Sequence, residues 1–128
     1  MRYLLDTHAF LWWDMQSSQL SPTAFALCSD SSNDLLLSLA SVWEMQIKQQ
    51  LGKLRLSAPL GEIIEKQRST NGIQLLPIEL SHILGLSDLP EHHRDPFDRL
   101  LITQANVERL TLISNDPLIA QYPVQVVW

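Results

Sequence analysis

Four acidic residues far apart in the chain, Asp6, Glu44, Asp98 and Asp116, have the type and placement to do chemistry together. Asp6 directly follows Arg2–Leu5, a short run of strand composition, and Asp116 lies just past another, Thr111–Ser114. Glu44 comes three residues after Ser41, which reads as the cap of a helix over Val42–Leu51. Asp98 falls in the first turn of a helix, Phe97–Glu108, that Pro96 starts. In open α/β sheets, ligands gather beyond the carboxyl ends of the strands. The four acids are therefore expected at one rim. No cation is evident beside them in sequence, because Arg99 points about 100° around the helix from Asp98. Gathered carboxylates raise one another's pKa, and the usual remedy is a hard divalent cation with oxygen ligands, Mg²⁺ or Mn²⁺. Such an ion lowers the pKa of a water it holds and offsets charge on a phosphoryl group under attack, so the set suits phosphodiester hydrolysis. Taken singly, each acid also has a structural explanation, as a helix cap or a partner of the helix dipole. Spacing alone leaves both readings open.

The elements that must position these acids alternate along the chain. After Arg2–Leu5 come helices over Thr7–Trp13 and Thr23–Cys28, the second opened by Ser21-Pro22. Asp34–Leu37 is an apolar run of strand length, and Gly52 ends the helix that carries Glu44. A helix over Pro59–Thr70 stops at Asn71-Gly72, followed by a strand over Gln74–Leu76 and a short helix over Leu80–Leu86. Leu89-Pro90 opens a polar loop, Pro117–Gln121 is a short helix and Val124–Val127 a last strand. Strands alternating with helices predict an α/β fold with a mainly parallel sheet and right-handed crossovers.

At 128 residues the chain has the length of one domain, taken as 1–128, and 45% hydrophobic residues suffice for a core. The formal net charge of −5 argues mildly against a polyphosphate partner. Its distribution matters more than its sum. Lys48, Lys53, Arg55, Lys66 and Arg68 place five of the nine basic side chains in one stretch, a candidate RNA path whose alternative is a solvated helical face. No apolar run reaches the ~18 residues of a membrane span. An acid at position 6 predicts no secretory signal, and a lone Cys28 predicts neither a disulfide nor a zinc cluster. The expected location is the cytoplasm.

The sequence resembles PIN-domain proteins, specifically VapC-type toxins of bacterial toxin–antitoxin pairs. The resemblance is carried by Tyr3-Leu4-Leu5-Asp6-Thr7-His8 and by Ser41-Val42-Trp43-Glu44-Met45-Gln46-Ile47-Lys48 with Gly52-Lys53-Leu54. It continues through His93-Arg94-Asp95-Pro96-Phe97-Asp98-Arg99-Leu100-Leu101-Ile102, Gln104-Ala105, Leu112-Ile113-Ser114-Asn115-Asp116 and Val126-Val127-Trp128. It implies a three-layer α/β/α PIN-like domain with a sheet of five short parallel strands. It also implies Mg²⁺- or Mn²⁺-dependent endoribonuclease activity, with Asp6, Glu44, Asp98 and Asp116 as metal-binding and catalytic residues. Asp95 and Ser114 become candidates for contact through water or a hydroxyl near the metal. Asn115 is less typical of the family.

A homodimer and a cognate antitoxin are further implied partners. Ile83, Leu84, Leu86 and the Phe97–Glu108 helix are candidates for the dimer contact. Trp12, Trp43, Ile47 and Leu51 are candidates for an antitoxin groove, the last three sharing one helix face. Among the histidines, His93 could position a phosphate or orient Asp95, whereas His8 and His82 read as surface residues. Three rivals compete. A phosphoreceiver domain would need a lysine near a late strand, and the last lysine is Lys66. A catalytically silent PIN-like binding module would be expected to lack one of the acids. A nuclease acting on DNA by the same chemistry remains open.

Overall fold

The structure is a computed structural model that describes residues 1–128. Its strands are β1 (Arg2–Leu5), β2 (Asp34–Ser38), β3 (Gln74–Leu76), β4 (Thr111–Ile113) and β5 (Val126–Val127). They form one sheet in the order β3-β2-β1-β4-β5, and every neighbouring pair is parallel. The register places Leu4 beside Leu36 and Leu112, and Leu5 beside Leu37 and Ile113. The chain runs outward from β1 through β2 to β3, then returns to β4 on the other side. The order therefore reverses between β1 and β4, where an open α/β sheet leaves a crevice at its carboxyl end.

Six helices cover the sheet: α1 (Thr7–Asp14), α2 (Pro22–Ser29), α3 (Leu39–Gln50), α4 (Leu60–Asn71), α5 (Leu80–Gly85) and α6 (Pro96–Glu108). The pleat of each strand sends alternate side chains to opposite faces. Tyr3, Leu5, Leu35, Leu37 and Ile113 join Phe10, Ala24, Met45, Ile63 and Ile64 in one core. Leu4, Leu36, Leu76 and Leu112 join Leu101, Ile102 and Ala105 of α6 in the other. Two cores on one sheet make a three-layer α/β/α architecture, as expected from the alternating elements.

The boundaries shift in several places. Pro59 caps α4 rather than opening it, and Pro117–Gln121 contracts to a 3-10 turn over Ile119–Gln121. The consequential correction lies in α3. Its cap is Ser38, whose hydroxyl accepts from Ala40 N at 3.0 Å, so Ser41 sits inside the helix with a buried hydroxyl that has no partner. Glu44 thus moves from the first turn to the second. Ser38 also donates to Gln104 of α6 at 2.5 Å, and Gln104 reaches the Pro77 carbonyl and the His82 ring. His82, expected on the surface, is fully buried in this network. Its Nδ1 accepts from the Glu79 amide at 2.9 Å, and its Nε2 lies 3.3 Å from Glu108.

Helix α5 packs on α6 through Gly85, where an added Cβ would stand 2.7 Å from the Thr103 methyl. Thr103 is buried and β-branched, so it has little freedom to withdraw. Gly85→Ala should destabilise the fold by about 1–3 kcal/mol through overpacking, outweighing an intrinsic helix gain of about 1 kcal/mol or less. A urea midpoint lower than wild type, largely restored in a Thr103→Ser background, is the expected outcome.

Candidate active site

The carboxyl ends of β1 and β4 face the crevice at the strand-order reversal, and the first polar residues beyond them are Asp6 and Ser114. Asp6 extends the ladder through its amide to the Ile113 carbonyl at 3.1 Å and caps α1 by accepting from Ala9 N at 2.7 Å. The capping role and the site role thus coexist in one side chain. Ser114 accepts from the Asp116 amide at 3.1 Å, and its hydroxyl beside Asp6 works to lower that carboxyl's pKa. Asp116 turns its Oδ1 to the Leu118 amide at 2.8 Å and leaves Oδ2 for the site. From α3, Glu44 enters buried, held by the Thr7 hydroxyl at 2.7 Å on Oε1 and by Lys48 Nζ at 2.8 Å on Oε2. Asp98 enters from the first turn of α6, which Asp95 caps by accepting from the amides of Phe97 and Asp98 at 2.9 and 3.3 Å.

All four predicted acids therefore converge, and their charges act on one another. Burial chiefly raises the pKa of Asp6, and Asp116 raises it further, while hydrogen bonds from Ser114 and Ala9 oppose the shift. Asp98 is pushed up to about 7 by burial first, then by Asp95 and Glu44, with His93 opposing. Lys48 is held above its ordinary pKa chiefly by its hydrogen bond to Glu44. These directions describe a desolvated acidic site in which deprotonation is costly, the setting in which a cation is most favoured.

The site nevertheless contains internal donors, Lys48 and His93, which the sequence marks as possible RNA contacts, and His93 also as a possible partner of Asp95, rather than as partners of the four acids. Lys48 meets Glu44 one helical turn away, and His93 Nε2 lies 3.0 Å from Asp98 and 3.1 Å from Asp116. The ligand atoms of His93, Asp98 and Asp116 all fall within 4.8 Å of one another. The four carboxylates are hard oxygen donors that fit Mg²⁺ or Mn²⁺ without thiolate chemistry.

Two residues escaped the sequence reading. Thr7 holds Glu44 from a neighbouring helix. Tyr122, near the far end of the chain, accepts from the amides of His92 and His93 at 3.1 and 2.8 Å. Arg99 donates to the same phenol at 3.1 Å and to the Pro90 carbonyl at 2.8 Å. Together they build the loop that presents His93 and Asp95. A polar residue adjoining Asp6 was a usable signal for Thr7, whereas nothing local marks Tyr122.

The remaining candidates are more dispersed. Of the basic set, Lys48 reaches the acids, while Lys53, Arg55, Lys66 and Arg68 are exposed. Arg68 pairs with Glu65 along α4 at 2.9 Å, and Lys66 borders a shallow cleft with Asp14 and Glu62. Trp43 is 59% exposed and stands edge-on to Phe97, with ring centroids 5.2 Å apart. Leu51, 62% exposed, caps the carboxyl end of α3, and Ile47 is half-buried between them. Trp12 packs against Trp128 at 5.7 Å. Cys28 is buried, its thiol pushed up to about 12 by desolvation, which leaves it inert.

The PIN domain family matches residues 3–124 of the chain. No curated protein matches it in sequence. Among solved structures, VapBC2 from Rickettsia felis, bound to a DNA fragment from its promoter, superposes with a TM-score of 0.74 at 14% identity, covering 99% of this chain and 98% of that one. FitAcB from Neisseria gonorrhoeae gives 0.66 at 16% identity, with coverages of 98% and 96%. A toxin–antitoxin complex from Klebsiella pneumoniae gives 0.63 at 17% identity, again with 98% and 96% covered. At these identities the likeness is one of fold.

The raised pKa values of Asp98 and Asp6 fix a sign for the pH dependence. In the unfolded chain both carboxyls release their protons near the ordinary value of about 3.9, whereas the folded chain keeps them to higher pH, for Asp98 to about 7. Between these limits the folded state binds more protons, so stability falls as pH rises. With EDTA present, the urea midpoint should decline from about pH 4 to about pH 7 and then level off. Asp98→Asn should flatten much of that slope, and an unchanged slope would contradict the assignment.

Proposed function

Because this chain belongs to the PIN domain family, we propose that it is a metal-dependent endoribonuclease acting as the toxin of a toxin–antitoxin pair. The observation that carries this reading is the convergence of Asp6, Glu44, Asp98 and Asp116, from four separate elements, at the carboxyl-end crevice of the sheet. Mg²⁺ or Mn²⁺ held there would supply a water of lowered pKa and positive charge opposite the scissile phosphate.

The chain's own residues fix the rest of the arrangement. Thr7 and Lys48 hold both oxygens of Glu44, which orients this carboxylate toward the crevice. Ser114 orients Asp6 and tethers the Asp116 backbone, coupling acids that flank the β1–β4 junction. Asp95 orders the first turn of α6 and with it Asp98. Exposed Lys53 and Arg55, just beyond the carboxyl end of α3, offer cationic side chains to a nucleic-acid backbone, with Lys48, engaged by Glu44, beside the acids. Lys66, Arg68 and His93 complete the candidate RNA contacts.

The partner reading rests on the exposed apolar side chains around α3. Trp43, Leu51 and half-buried Ile47 would receive apolar side chains from an antitoxin segment, with Trp12 at the margin. A basic antitoxin side chain would be drawn to the acids. A separate exposed set, Leu80, Ile83, Leu84 and Val107 on α5 and α6, suits a homodimer contact, which a doubled mass by light scattering would establish. No helix is long and apolar enough to cross a membrane, and the cytoplasm is the location consistent with an RNA substrate.

Incubating labelled RNA and DNA with the purified chain tests the assignment. Cleavage of RNA with Mg²⁺ or Mn²⁺, abolished by EDTA and lowered about 100-fold or more by Asp6→Asn, is expected. Cleavage of DNA alone would support the alternative nuclease reading, and loss of neither activity in Asp6→Asn would remove Asp6 from the site. For the partner, Ile47→Glu should weaken inhibition by the co-encoded antitoxin while free-enzyme cleavage stays near wild type. Inhibition of that variant at wild-type potency would rule out the proposed groove.

A further inference from the structure

His93 stands where a cation between Asp98 and Asp116 would stand. Its Nε2 lies 3.0 Å from Asp98 Oδ2 and 3.1 Å from Asp116 Oδ2. The other ring nitrogen decides what Nε2 can do. Nδ1 accepts from the Asp95 amide at 3.2 Å, so it carries no proton, and the ring proton resides on Nε2. In this setting Nε2 is a donor, with no lone pair free for an ion. Were Nε2 to ligate a metal, the proton would move to Nδ1 and face the Asp95 N–H, donor against donor. Metal-binding histidines show the opposite arrangement, in which the second ring nitrogen donates to an acceptor.

The placement of the ring is also built rather than incidental. The His93 amide and the preceding His92 amide both donate to Tyr122, whose hydroxyl also receives Arg99. Arg99 ties the same loop at Pro90 and Leu86, and the His92 ring packs edge-on against Tyr122 at 5.1 Å. The backbone beneath His93 is thus fixed from several sides, while the ring itself is partly exposed and held by Asp98 and Asp116 at Nε2 and by the Asp95 amide at Nδ1.

We propose that His93 is an internal stand-in for the metal: its Nε2–H bridges Asp98 and Asp116, and a divalent cation enters by displacing the ring. His93 then sets how much free metal the site needs and does not ligate it. This rests on the reading of the four acids as a metal site. Without the bridge the two carboxylates repel each other unrelieved, so the ring stabilises the metal-free state, and each ion that binds must outcompete it.

Calorimetric titration of Mn²⁺ into the purified chain and into His93→Ala tests the proposal. The variant should bind Mn²⁺ more tightly by about tenfold, the scale of a lost hydrogen bond to a charged group. His93→Phe, which keeps an aromatic ring without the donor, should also bind more tightly than wild type. Unfolding midpoints in EDTA establish that both variants fold. A second readout is the long-range ¹H–¹⁵N spectrum of the His93 ring during a Mg²⁺ titration, in which Nε2 should stay protonated as its environment changes. Unchanged affinity in His93→Ala, or a loss of about 10- to 100-fold as removal of an orienting or ligating group gives, would overturn the proposal. So would deprotonation of Nε2 on metal addition. If wild type and variants alike fail to bind either ion, the metal reading of the acids fails and takes the proposal with it. If wild type binds and His93→Ala binds no better, only the proposal fails.

Discussion

Repulsion among carboxylates held partly out of water is the constraint to which the rest of the site responds. Asp6 and Glu44 are buried, Asp98 and Asp116 are mostly covered, and each would be easier to accommodate alone. The fold meets this strain locally. Backbone amides at helix starts bind Asp6, Asp95 and Asp116, Lys48 neutralises Glu44, and the His93 ring bridges the remaining pair. Each of these donors offsets part of a repulsion that the close approach of the acids would otherwise leave unrelieved.

Much of this was legible in the sequence because it depends on local rules. The apolar runs before Asp6 and Asp116, the alternation of elements and Pro96 at the start of α6 are short-range signals, and their reading carried over. Asp6, Asp98 and Asp116 sit within a few residues of strand ends or helix starts, so their placement followed from those boundaries. The cap of α3 did not, because Ser38 and Ser41 each precede helix-forming residues and Ser41 also stands three residues before Glu44. That spacing mimics a capping box. What settled the choice was the end of β2 and the contact from Ser38 to Gln104, which joins residues 66 positions apart.

The two donors differ in this respect. Lys48 lies four residues from Glu44, a spacing that could have been read as an ion pair across one helical turn. His93 reaches Asp116 only because Tyr122 and Arg99 shape the intervening loop, and no window of sequence contains all of these residues. His82 looked like a surface residue because its partners, Glu79, Gln104 and Glu108, complete a buried network only after α5 packs on α6. Polar residues are legible when their partners are neighbours, and become illegible when folding supplies the partners.

The double attachment of Ser38 bears on how the molecule breathes. One hydroxyl terminates α3 by accepting from Ala40 and also donates to Gln104, so the first turn of the helix carrying Glu44 is fastened to the middle of the helix carrying Asp98. Fraying of α3 would leave the buried Gln104 side-chain oxygen without its donor, and fraying of α6 would leave the buried Ser38 hydroxyl without its acceptor. Opening of either helix thus removes a hydrogen-bond partner from the other, which couples their opening free energies. A fluctuation that carries Glu44 away from Asp98 therefore works against a bond that ties helices from the two layers on either side of the sheet.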